Sequence, residues 1–255
     1  INKEDTLSGV LIYPAQFNPD KKYPMVVRIY ERESYMLHYF YAPSDYQLDG
    51  FNPVKYTVND YFVLYPDIKY TLKEPGKSAV NCVTNAVNKV ISLGYVDKNR
   101  IGLIGHSFGG YETVFTVTGS DMFAAAVAGA SETDMVSRYH SIGWNWNRPE
   151  IWRYEHQQLR MGDSFYKIKH DYYANSPLYQ IENLNTPLLL WSGKEDHQVH
   201  WTQSVEFYLG MKRLGKEGEL LLYDDEAHVI SNAKNQKHLA KKIFGWFEKH
   251  LKNTL

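Results

Sequence analysis

Residues 100–110 read RIGLIGHSFGG, so a short apolar run leads without a break into a serine flanked by glycines. Residues 105–109 match the pattern G-x-S-x-G, which is known as the nucleophile elbow. In this elbow a strand turns into a helix so sharply that only glycine fits on either side of the serine, whose hydroxyl is left exposed above the sheet. The apolar run before Ser107 and the helical pattern after it favour an elbow over a glycine-rich turn with an incidental serine.

Short apolar runs like the one before Ser107 recur along the whole chain. They cover residues 10–13, 25–30, 61–65, 101–104, 125–128, 187–191 and 220–223. Most are apolar throughout rather than alternating, which is typical of strands in a parallel sheet that is covered on both faces. Helical patterns lie between them, over residues 80–91, 201–214 and 233–251. Ser78 is the predicted N-cap of the first helix and Gly94 its stop. The alternation predicts an α/β fold with a mostly parallel sheet and helices on both faces.

The composition excludes several classes of protein. The chain has 255 residues, 28 Lys and Arg against 29 Asp and Glu, and a net charge of −1, which argues against a nucleic-acid binder. Its longest apolar run, residues 123–130, is far shorter than the roughly 18 residues of a membrane span, so no membrane association is predicted. The single cysteine, Cys82, excludes an internal disulfide and leaves the compartment open; we favour a periplasmic or secreted protein over a cytoplasmic one.

One segment, at about residues 133–175, breaks the alternation of strands and helices. It is rich in aromatic residues and has no clean periodicity. Long insertions of this kind commonly form lids or binding loops, so Trp144, Trp146 and Trp152 are candidate substrate-binding residues. The alternative is an irregular helical insertion that packs its aromatic side chains on one another.

An elbow serine requires a base, and the chain offers ten histidines. His228 follows the apolar run at 220–223 and precedes the last predicted helix. It therefore lies at the carboxyl edge of the sheet, where Ser107 must also lie. His238 and His250 fall inside the last helix and are predicted to be surface residues. His228 is the predicted general base.

The base requires an acid between the serine and itself in the chain. Asp196 follows the run at 187–191 and again lies at the carboxyl edge of the sheet. Glu195 is its immediate rival, while Asp224 and Asp225 are weaker candidates because they precede His228 so closely. A loop carboxylate that merely caps the following helix is the alternative role for Asp196.

No metal or cofactor is predicted. His197 and His200 lie beside two carboxylates, but their spacing is not H-E-x-x-H and no second cluster of ligands accompanies them. The chain also lacks G-x-G-x-x-G and G-x-x-x-x-G-K-[ST], so nucleotide chemistry has no support.

The last requirement of acyl transfer is an oxyanion hole. The backbone N–H of Phe108, the residue after the serine, is the first predicted donor. The loop that carries the second donor in lipases and esterases reads YERES at residues 30–34, without the glycine that lets a backbone N–H approach closely. A side-chain donor is the natural substitute, and Tyr30 stands at the end of its strand with a hydroxyl to donate. With 21 tyrosines in the chain, coincidence is the alternative.

Together these residues resemble the catalytic domain of the prolyl oligopeptidase family of serine peptidases. The resemblance covers nearly the whole chain and is densest over residues 95–111, 186–216 and 226–228. It implies an α/β-hydrolase fold, the catalytic triad Ser107, Asp196 and His228, and an oxyanion tyrosine at Tyr30. It also implies, from the dipeptidyl-peptidase relatives, that the residues just after the acid line the substrate pocket; these are Gln198 and Val199.

The sequence departs from the family pattern in three places. Phe108 stands where most relatives have a tyrosine, and Glu31-Arg32-Glu33 replaces a Gly-Gly-Pro-like turn. The tyrosine-rich segment that forms the proline pocket of dipeptidyl-peptidases is not kept in residues 152–162. A preference for proline at the cleavage site therefore does not carry over.

Relatives carry an N-terminal β-propeller over the active site, and this chain begins about where their hydrolase domain begins. Because the first residue is Ile1 rather than Met, we expect residues 1–255 to be the catalytic part of a longer protein. Exopeptidase and endopeptidase action are both left open, as is a homo-oligomer.

The predicted function is a serine peptidase that hydrolyses short peptides through an acyl-enzyme. An esterase acting on small acyl substrates shares the same triad and is the first alternative. A non-catalytic binding module on a hydrolase fold is the second.

Overall fold

Residues 6–252, which are the residues that the computed structural model describes, contain nine strands. They are β1 (Gly9–Ile12), β2 (Tyr23–Ile29), β3 (Phe62–Pro66), β4 (Val96–His106), β5 (Ala125–Gly129), β6 (Ile142–Gly143), β7 (Arg148–Pro149), β8 (Leu188–Gly193) and β9 (Gly218–Tyr223). Seven of them form one sheet in the order β1-β3-β2-β4-β5-β8-β9, while β6 and β7 pair only with each other. Within the large sheet β1 runs antiparallel to β3 and every other pair is parallel. Every predicted run is a strand of this sheet, and the mostly parallel α/β fold is confirmed.

Residues 6–252 also contain eight α-helices, five of which pack on the two faces of the large sheet. They are α1 (Pro53–Thr57), α2 (Pro75–Ile91), α3 (Phe108–Gly119), α4 (Met135–Tyr139), α5 (Ile151–His156), α6 (Lys169–Ala174), α7 (Thr202–Arg213) and α8 (Ala233–Leu251). Helices α2, α3 and α7 contribute to the core on one face, and α1 and α8 to the core on the other. None of the helices within residues 6–252 combines the length and the apolar character that crossing a membrane requires.

The two cores explain why the strands are apolar throughout. Side chains alternate between the faces of a sheet along each strand. In β2, Met25, Val27 and Ile29 enter the core beneath α2, α3 and α7, while Val26 enters the core beneath α8. A polar residue at any of these positions would be buried on one face or the other.

Two details of the predicted helices are corrected. Helix α2 begins at Pro75, with Glu74 before it, because proline suits the first turn of a helix. Ser78 therefore lies inside the first turn and is not the N-cap; its hydroxyl accepts the backbone N–H of Thr71 at 2.9 Å. His250 is not a free surface residue, because it is half-buried and its ring centroid lies 4.4 Å from that of Trp246. Ile1 lies outside the described residues.

The segment at 133–175 contains three short helices, α4 to α6, and the β6–β7 hairpin. Its aromatic residues divide into two groups. Tyr139, Tyr154, Phe165 and Tyr172 are buried and form a third core together with the side chains of α3. A second group is exposed and includes Trp144, Trp146, Tyr166 and Tyr173. The predicted packing of aromatic side chains on one another is confirmed for the first group. This group anchors the segment to α3, the helix that follows Ser107.

Candidate active site

Ser107 lies at the turn between β4 and α3. Its backbone has φ 60° and ψ −122°, a conformation that residues other than glycine rarely adopt. The glycines around it are required by space: a Cβ on Gly105 would lie 2.0 Å from the carbonyl oxygen of Gly109, and one on Gly109 would lie 2.3 Å from that of Ile29. The turn is therefore a nucleophile elbow in its geometry as well as in its sequence.

A continuous chain of hydrogen bonds joins Ser107, His228 and Asp196. The Nε2 atom of His228 lies 2.7 Å from the Ser107 hydroxyl, and its Nδ1 atom lies 2.7 Å from Oδ2 of Asp196. A carboxylate accepts hydrogen bonds, which assigns the imidazole proton to Nδ1 and leaves the Nε2 lone pair for the serine hydroxyl. The three side chains follow β4, β9 and β8, so they meet at the carboxyl edge of the sheet.

Asp196 differs from its three rivals in burial and in contacts. It is 1% exposed, and its Oδ1 accepts the backbone N–H groups of Gln198 and Val199 at 2.8 and 2.9 Å. Glu195 points to solvent, and Asp224 pairs with Lys194 at 2.6 Å. Asp225 is also exposed. Of the four acids, Asp196 is the one bonded to His228.

His106, which immediately precedes the serine, supports the backbone of His228. Its ring stacks on Trp191 with centroids 5.2 Å apart, and its Nε2 lies 2.7 Å from the carbonyl oxygen of His228. Burial and repulsion from His228 lower the pKa of His106 to about 4. The ring is therefore neutral near pH 7, and the nitrogen that faces a carbonyl must carry the proton. The prediction from sequence overlooked this residue, although it occupies the variable position directly before the nucleophile.

Glu226 holds the other side of the loop that carries His228. Its buried carboxylate accepts four hydrogen bonds, from the backbone and side chain of Ser231, the backbone of Asn232 and the side chain of Asn235. Although burial opposes it, these bonds keep the pKa of Glu226 below its ordinary value. The position of Glu226 two residues before the base could have marked it in the sequence. Its role follows only from its hydrogen bonds to Ser231, Asn232 and Asn235.

Two groups are available as oxyanion donors. Phe108 is the first residue of α3, so its N–H has no carbonyl within the helix to bond to. Tyr30 follows β2, and a Cβ on Gly109 would lie 3.2 Å from its ring. The Tyr30 hydroxyl accepts Nε2–H of Gln158 at 3.3 Å, and burial raises its pKa, so its own proton remains available to donate. Both oxyanion roles remain predictions.

A cavity of about 20 Å³ lies beside Ser107. Gln198 and Val199, which were predicted to bind substrate, both line it. The other side of the cavity, here called the pocket wall, is formed by Glu132, Arg138, Arg153, Gln158 and Leu159. The prediction from sequence missed this group. Only Glu132, which lies shortly after β5 at the carboxyl edge, carried a positional signal; the other four lie in the irregular segment.

The pocket wall contains buried charges that bind one another. Glu150, which is fully buried behind the cavity, accepts Nε–H of Arg153 at 2.7 Å and lies 3.3 Å from the guanidinium of Arg138. Glu132 accepts the hydroxyl of Tyr154 at 2.6 Å. Burial raises the pKa of Glu132 to about 7, although Arg138 and Tyr154 act to lower it.

The three tryptophans that were predicted to bind substrate do not line the cavity beside Ser107. Trp144 is exposed and borders a second cavity of about 220 Å³, which shares Arg138 and Gln198 with the first. Trp146 is exposed, and Trp152 packs against Arg148, whose guanidinium lies 3.6 Å from its ring centroid. Contact of these three residues with a substrate remains a prediction.

The histidines next to the acid lie apart from the base. His200 bonds to Thr202 at 2.9 Å, and both His197 and His200 are exposed. Over residues 6–252 no group of three or more His, Cys, Asp or Glu side chains has an arrangement that could hold a metal ion.

Comparison with known proteins places this geometry in a family. Residues 71–254 match the sequence profile of the prolyl oligopeptidase family. The chain belongs to the prolyl oligopeptidase family. Its curated relatives include a protein of Bacillus subtilis named "Uncharacterized peptidase YuxL", which is 25% identical over 257 residues that cover 96% of this chain and 37% of the relative. They also include dipeptidyl-peptidase 5 of Porphyromonas gingivalis, which is 27% identical over 172 residues, 66% of this chain and 24% of the relative.

The solved structure of an acylaminoacyl peptidase from Pyrococcus horikoshii is similar in fold. It superposes with a TM-score of 0.78 at 22% identity, over 96% of this chain and 40% of that one. The α/β-hydrolase fold expected from the resemblance is confirmed. The chain spans less than two fifths of the length of these curated relatives.

Proposed function

We propose that the chain is the catalytic part of a serine peptidase that cleaves peptide bonds by acyl transfer through Ser107, His228 and Asp196. The observation that carries the proposal is the pair of 2.7 Å hydrogen bonds that link the elbow serine to His228 and His228 to the buried acid. Membership of a family whose relatives are named as peptidases supports the same reaction class.

The first half of the reaction forms an acyl-enzyme. The Ser107 oxygen attacks the carbonyl carbon of the cleaved bond while its proton passes to Nε2 of His228, and Asp196 stabilises the imidazolium that results. The N–H of Phe108 and the hydroxyl of Tyr30 donate to the developing oxyanion. The C–N bond then breaks as His228 returns the proton to the leaving amine.

The second half hydrolyses the acyl-enzyme by the same groups. His228 takes a proton from a water molecule, which attacks the acyl carbon, and then gives a proton back to the Ser107 oxygen as the ester bond breaks. The products are the free acid and the original enzyme. The neutral His106 and the bonded Glu226 keep the His228 loop in position throughout, since neither changes its partners.

We propose further that the full-length protein carries an N-terminal β-propeller, as the resemblance implies. The greater length of the curated relatives supports this arrangement. Gln198 and Val199, which line the cavity beside Ser107, are the proposed substrate-binding residues.

The proposal is tested by hydrolysis and by labelling of the same serine. We expect the chain to release p-nitroaniline from blocked peptide anilides and to be labelled at Ser107 by a diphenyl phosphonate. Ser107→Ala should lower kcat by about 10⁴ or more while leaving the fold intact, because the hydroxyl contributes little packing.

The matched control is Ser92→Ala, which removes an exposed hydroxyl at the end of α2. It should retain the parent rate. Hydrolysis of esters without any hydrolysis of anilides would favour the esterase instead. A Ser107→Ala variant within tenfold of the parent would refute the assignment of the nucleophile.

A further inference from the structure

The space beside Ser107 is small for a peptidase pocket. The cavity measures about 20 Å³, which is room for roughly one or two water-sized groups. A methyl or hydroxymethyl group fits such a volume, whereas a pyrrolidine, isobutyl or benzyl group does not.

The position of the cavity identifies which substrate residue meets it. A carbonyl carbon attacked by Ser107 must lie against the hydroxyl, with its oxygen towards the N–H of Phe108. The side chain of that residue is attached one atom away from the carbonyl carbon. It therefore points into the space bordered by both Ser107 and Phe108, and this space is the cavity.

Arg138 keeps one side of the cavity from moving outwards. Its guanidinium donates to the Ser141 hydroxyl at 2.9 Å and to the carbonyl oxygen of Gln198, and it lies 3.3 Å from Glu150. Glu150 is held in turn by Arg153 at 2.7 Å. Displacement of Arg138 would separate buried opposite charges, which is strongly unfavourable.

The chemistry of the wall also disfavours a large apolar group. The carboxyl of Glu132 is buried against Tyr154, and the Nε atom of Arg138 is buried without a hydrogen-bond partner among residues 6–252. An apolar side chain placed here would leave these polar groups without water or any substitute for it. A hydroxyl can donate to the carboxyl or accept from the guanidinium. Leu159 and Val199 supply the apolar remainder of the lining.

We propose that the pocket wall restricts the residue on the acyl side of the cleaved bond to glycine, alanine or serine, and that Glu132, Arg138 and Leu159 determine this specificity. The inference rests on the proposed serine peptidase function. It separates this chain from a peptidase that selects proline, leucine or phenylalanine at the same position.

The test uses benzyloxycarbonyl-blocked aminoalkyl phosphonate diphenyl esters that carry the side chains of glycine, alanine, valine, proline and phenylalanine. The Ser107 oxygen forms a bond to phosphorus, the bond from phosphorus to phenoxide breaks, and the serine proton passes through His228 to the leaving phenol. The rate of labelling, followed by mass spectrometry of the Ser107 peptide, reports the fit of the side chain without requiring peptide hydrolysis.

We expect the glycine and alanine derivatives to label Ser107 at least about tenfold faster than the proline and phenylalanine derivatives. This follows because one methylene too many in a filled pocket is worth roughly tenfold or more. In matched anilides, serine should be cleaved as readily as alanine. Equal or faster labelling by proline or phenylalanine would overturn the inference.

Variants that enlarge the apolar side should relax the restriction. Leu159→Ala should raise labelling by the proline derivative at least about tenfold relative to the alanine derivative. Val199→Ala removes less volume and keeps the inference testable if Leu159→Ala does not fold. The matched controls are Leu184→Ala and Val90→Ala, which remove equally buried side chains away from the cavity and should leave the ratio unchanged.

The experiment distinguishes failure of the proposed peptidase function from failure of the proposed restriction on side-chain size. Labelling of Ser107 in the expected order without cleavage of any anilide would refute the peptidase function and leave the shape of the pocket supported. Cleavage of anilides with proline or phenylalanine preferred would support the peptidase function and refute the restriction. If no derivative labels Ser107, both are refuted.

Discussion

The triad and the pocket wall border the same cavity but are built in different ways. Ser107, Asp196 and His228 each lie within a few residues of the end of a parallel strand, and two 2.7 Å hydrogen bonds connect them. Most of the pocket wall comes instead from the irregular segment at 133–175, where charged side chains are held by buried ion pairs. The reaction is fixed by the edge of the sheet, and the choice of substrate by an insertion packed against it.

Because of this difference, substitutions in the triad and in the pocket wall should have different consequences. Parallel strands end at a common edge, so the triad requires only three short loops of the correct length. The pocket wall requires a particular path through about forty residues. We therefore expect changes at the triad to lower kcat, and changes in the pocket wall to alter specificity or stability.

The largest effect in this comparison is expected at the acid. Asp196→Asn should lower kcat by about 10⁴, because an amide in place of the carboxylate no longer holds the Nδ1–H tautomer of His228. Glu195→Gln is the matched control and should stay near the parent rate, since Glu195 is exposed. Steady-state kinetics on an alanine anilide measure both. Equal losses in the two variants would mean that the acid has been misassigned.

A smaller effect is expected at the proposed oxyanion donor. Tyr30→Phe removes one hydroxyl, and kcat should fall about a hundredfold with KM nearly unchanged, because the donor acts on charge that exists only in the transition state. Tyr39→Phe, at an exposed tyrosine of the same region, is the control. A kcat within a factor of three of the parent would remove Tyr30 from the oxyanion hole.

His106 should have a more modest influence, because it acts through the backbone of His228. His106→Phe keeps a ring stacked on Trp191 but removes the hydrogen bond to the carbonyl. We expect kcat to fall about fivefold, since one neutral hydrogen bond contributes about 1 kcal/mol. His170→Phe, on a fully exposed histidine, is the control. An unchanged kcat would show that the loop is held without this bond.

The His106→Phe variant should also change how the stability of the protein depends on pH. Burial and His228 lower the pKa of His106 to about 4 in the folded protein, whereas an unfolded histidine titrates near 6.5. Only the unfolded chain takes up this proton between the two values. The parent should therefore lose up to about 3 kcal/mol of stability from this residue as pH falls from about 6.5 to about 4, and His106→Phe should not. Urea unfolding at pH 7 and 4.5 measures the difference.

The smallest effect is expected in the pocket wall, and it has the opposite dependence on pH. Burial raises the pKa of Glu132 to about 7, while an unfolded glutamate titrates near 4.3. The folded protein keeps a proton that the unfolded chain releases, so this residue destabilises the fold as pH rises from about 4.3 to about 7. The free energy of unfolding of Glu132→Gln, relative to that of the parent, should therefore rise by about 2 kcal/mol between pH 5 and pH 8.

Exposed Glu182→Gln is the control for this prediction and should show no such gain. Urea unfolding of parent and variants at the two pH values measures the gain. If the free energies of unfolding of Glu132→Gln and the parent differ by the same amount at pH 5 and pH 8, Glu132 is ionised in the folded protein at both pH values.

The elements that were predicted correctly have local causes. The run before Ser107 becomes the end of β4 because it is apolar throughout, and α8 occupies residues 233–251 as its periodicity indicates. The elbow follows from two glycines at fixed spacing from a serine. The error at Ser78 is also local in origin: a capping side chain was preferred to the proline three residues earlier, and proline at the first helical position was the stronger signal.

Features that depend on contacts between distant segments were predicted less well. The residue pattern favours Asp196 and keeps Glu195 as its immediate rival, because adjacent residues share almost the same sequence context; the family resemblance also implies Asp196. Only the position of His228, brought next to Asp196 by β9, distinguishes them. The helix pattern predicts His250 at the surface, because it does not reveal that Trp246 packs on this ring.

The sequence alone determined the seven strands of the large sheet, the four long helices α2, α3, α7 and α8, the elbow and the three loops in which the triad lies, because these depend on side-chain periodicity and on local steric limits. The tertiary structure alone decided which carboxylate meets His228, that His106 supports the base, and that charged residues of the 133–175 segment leave a cavity of about 20 Å³ beside Ser107. Those features depend on distances of a few ångströms between residues that are far apart in the chain. No local pattern encodes such distances, because they result from the packing of the whole sheet with its helices.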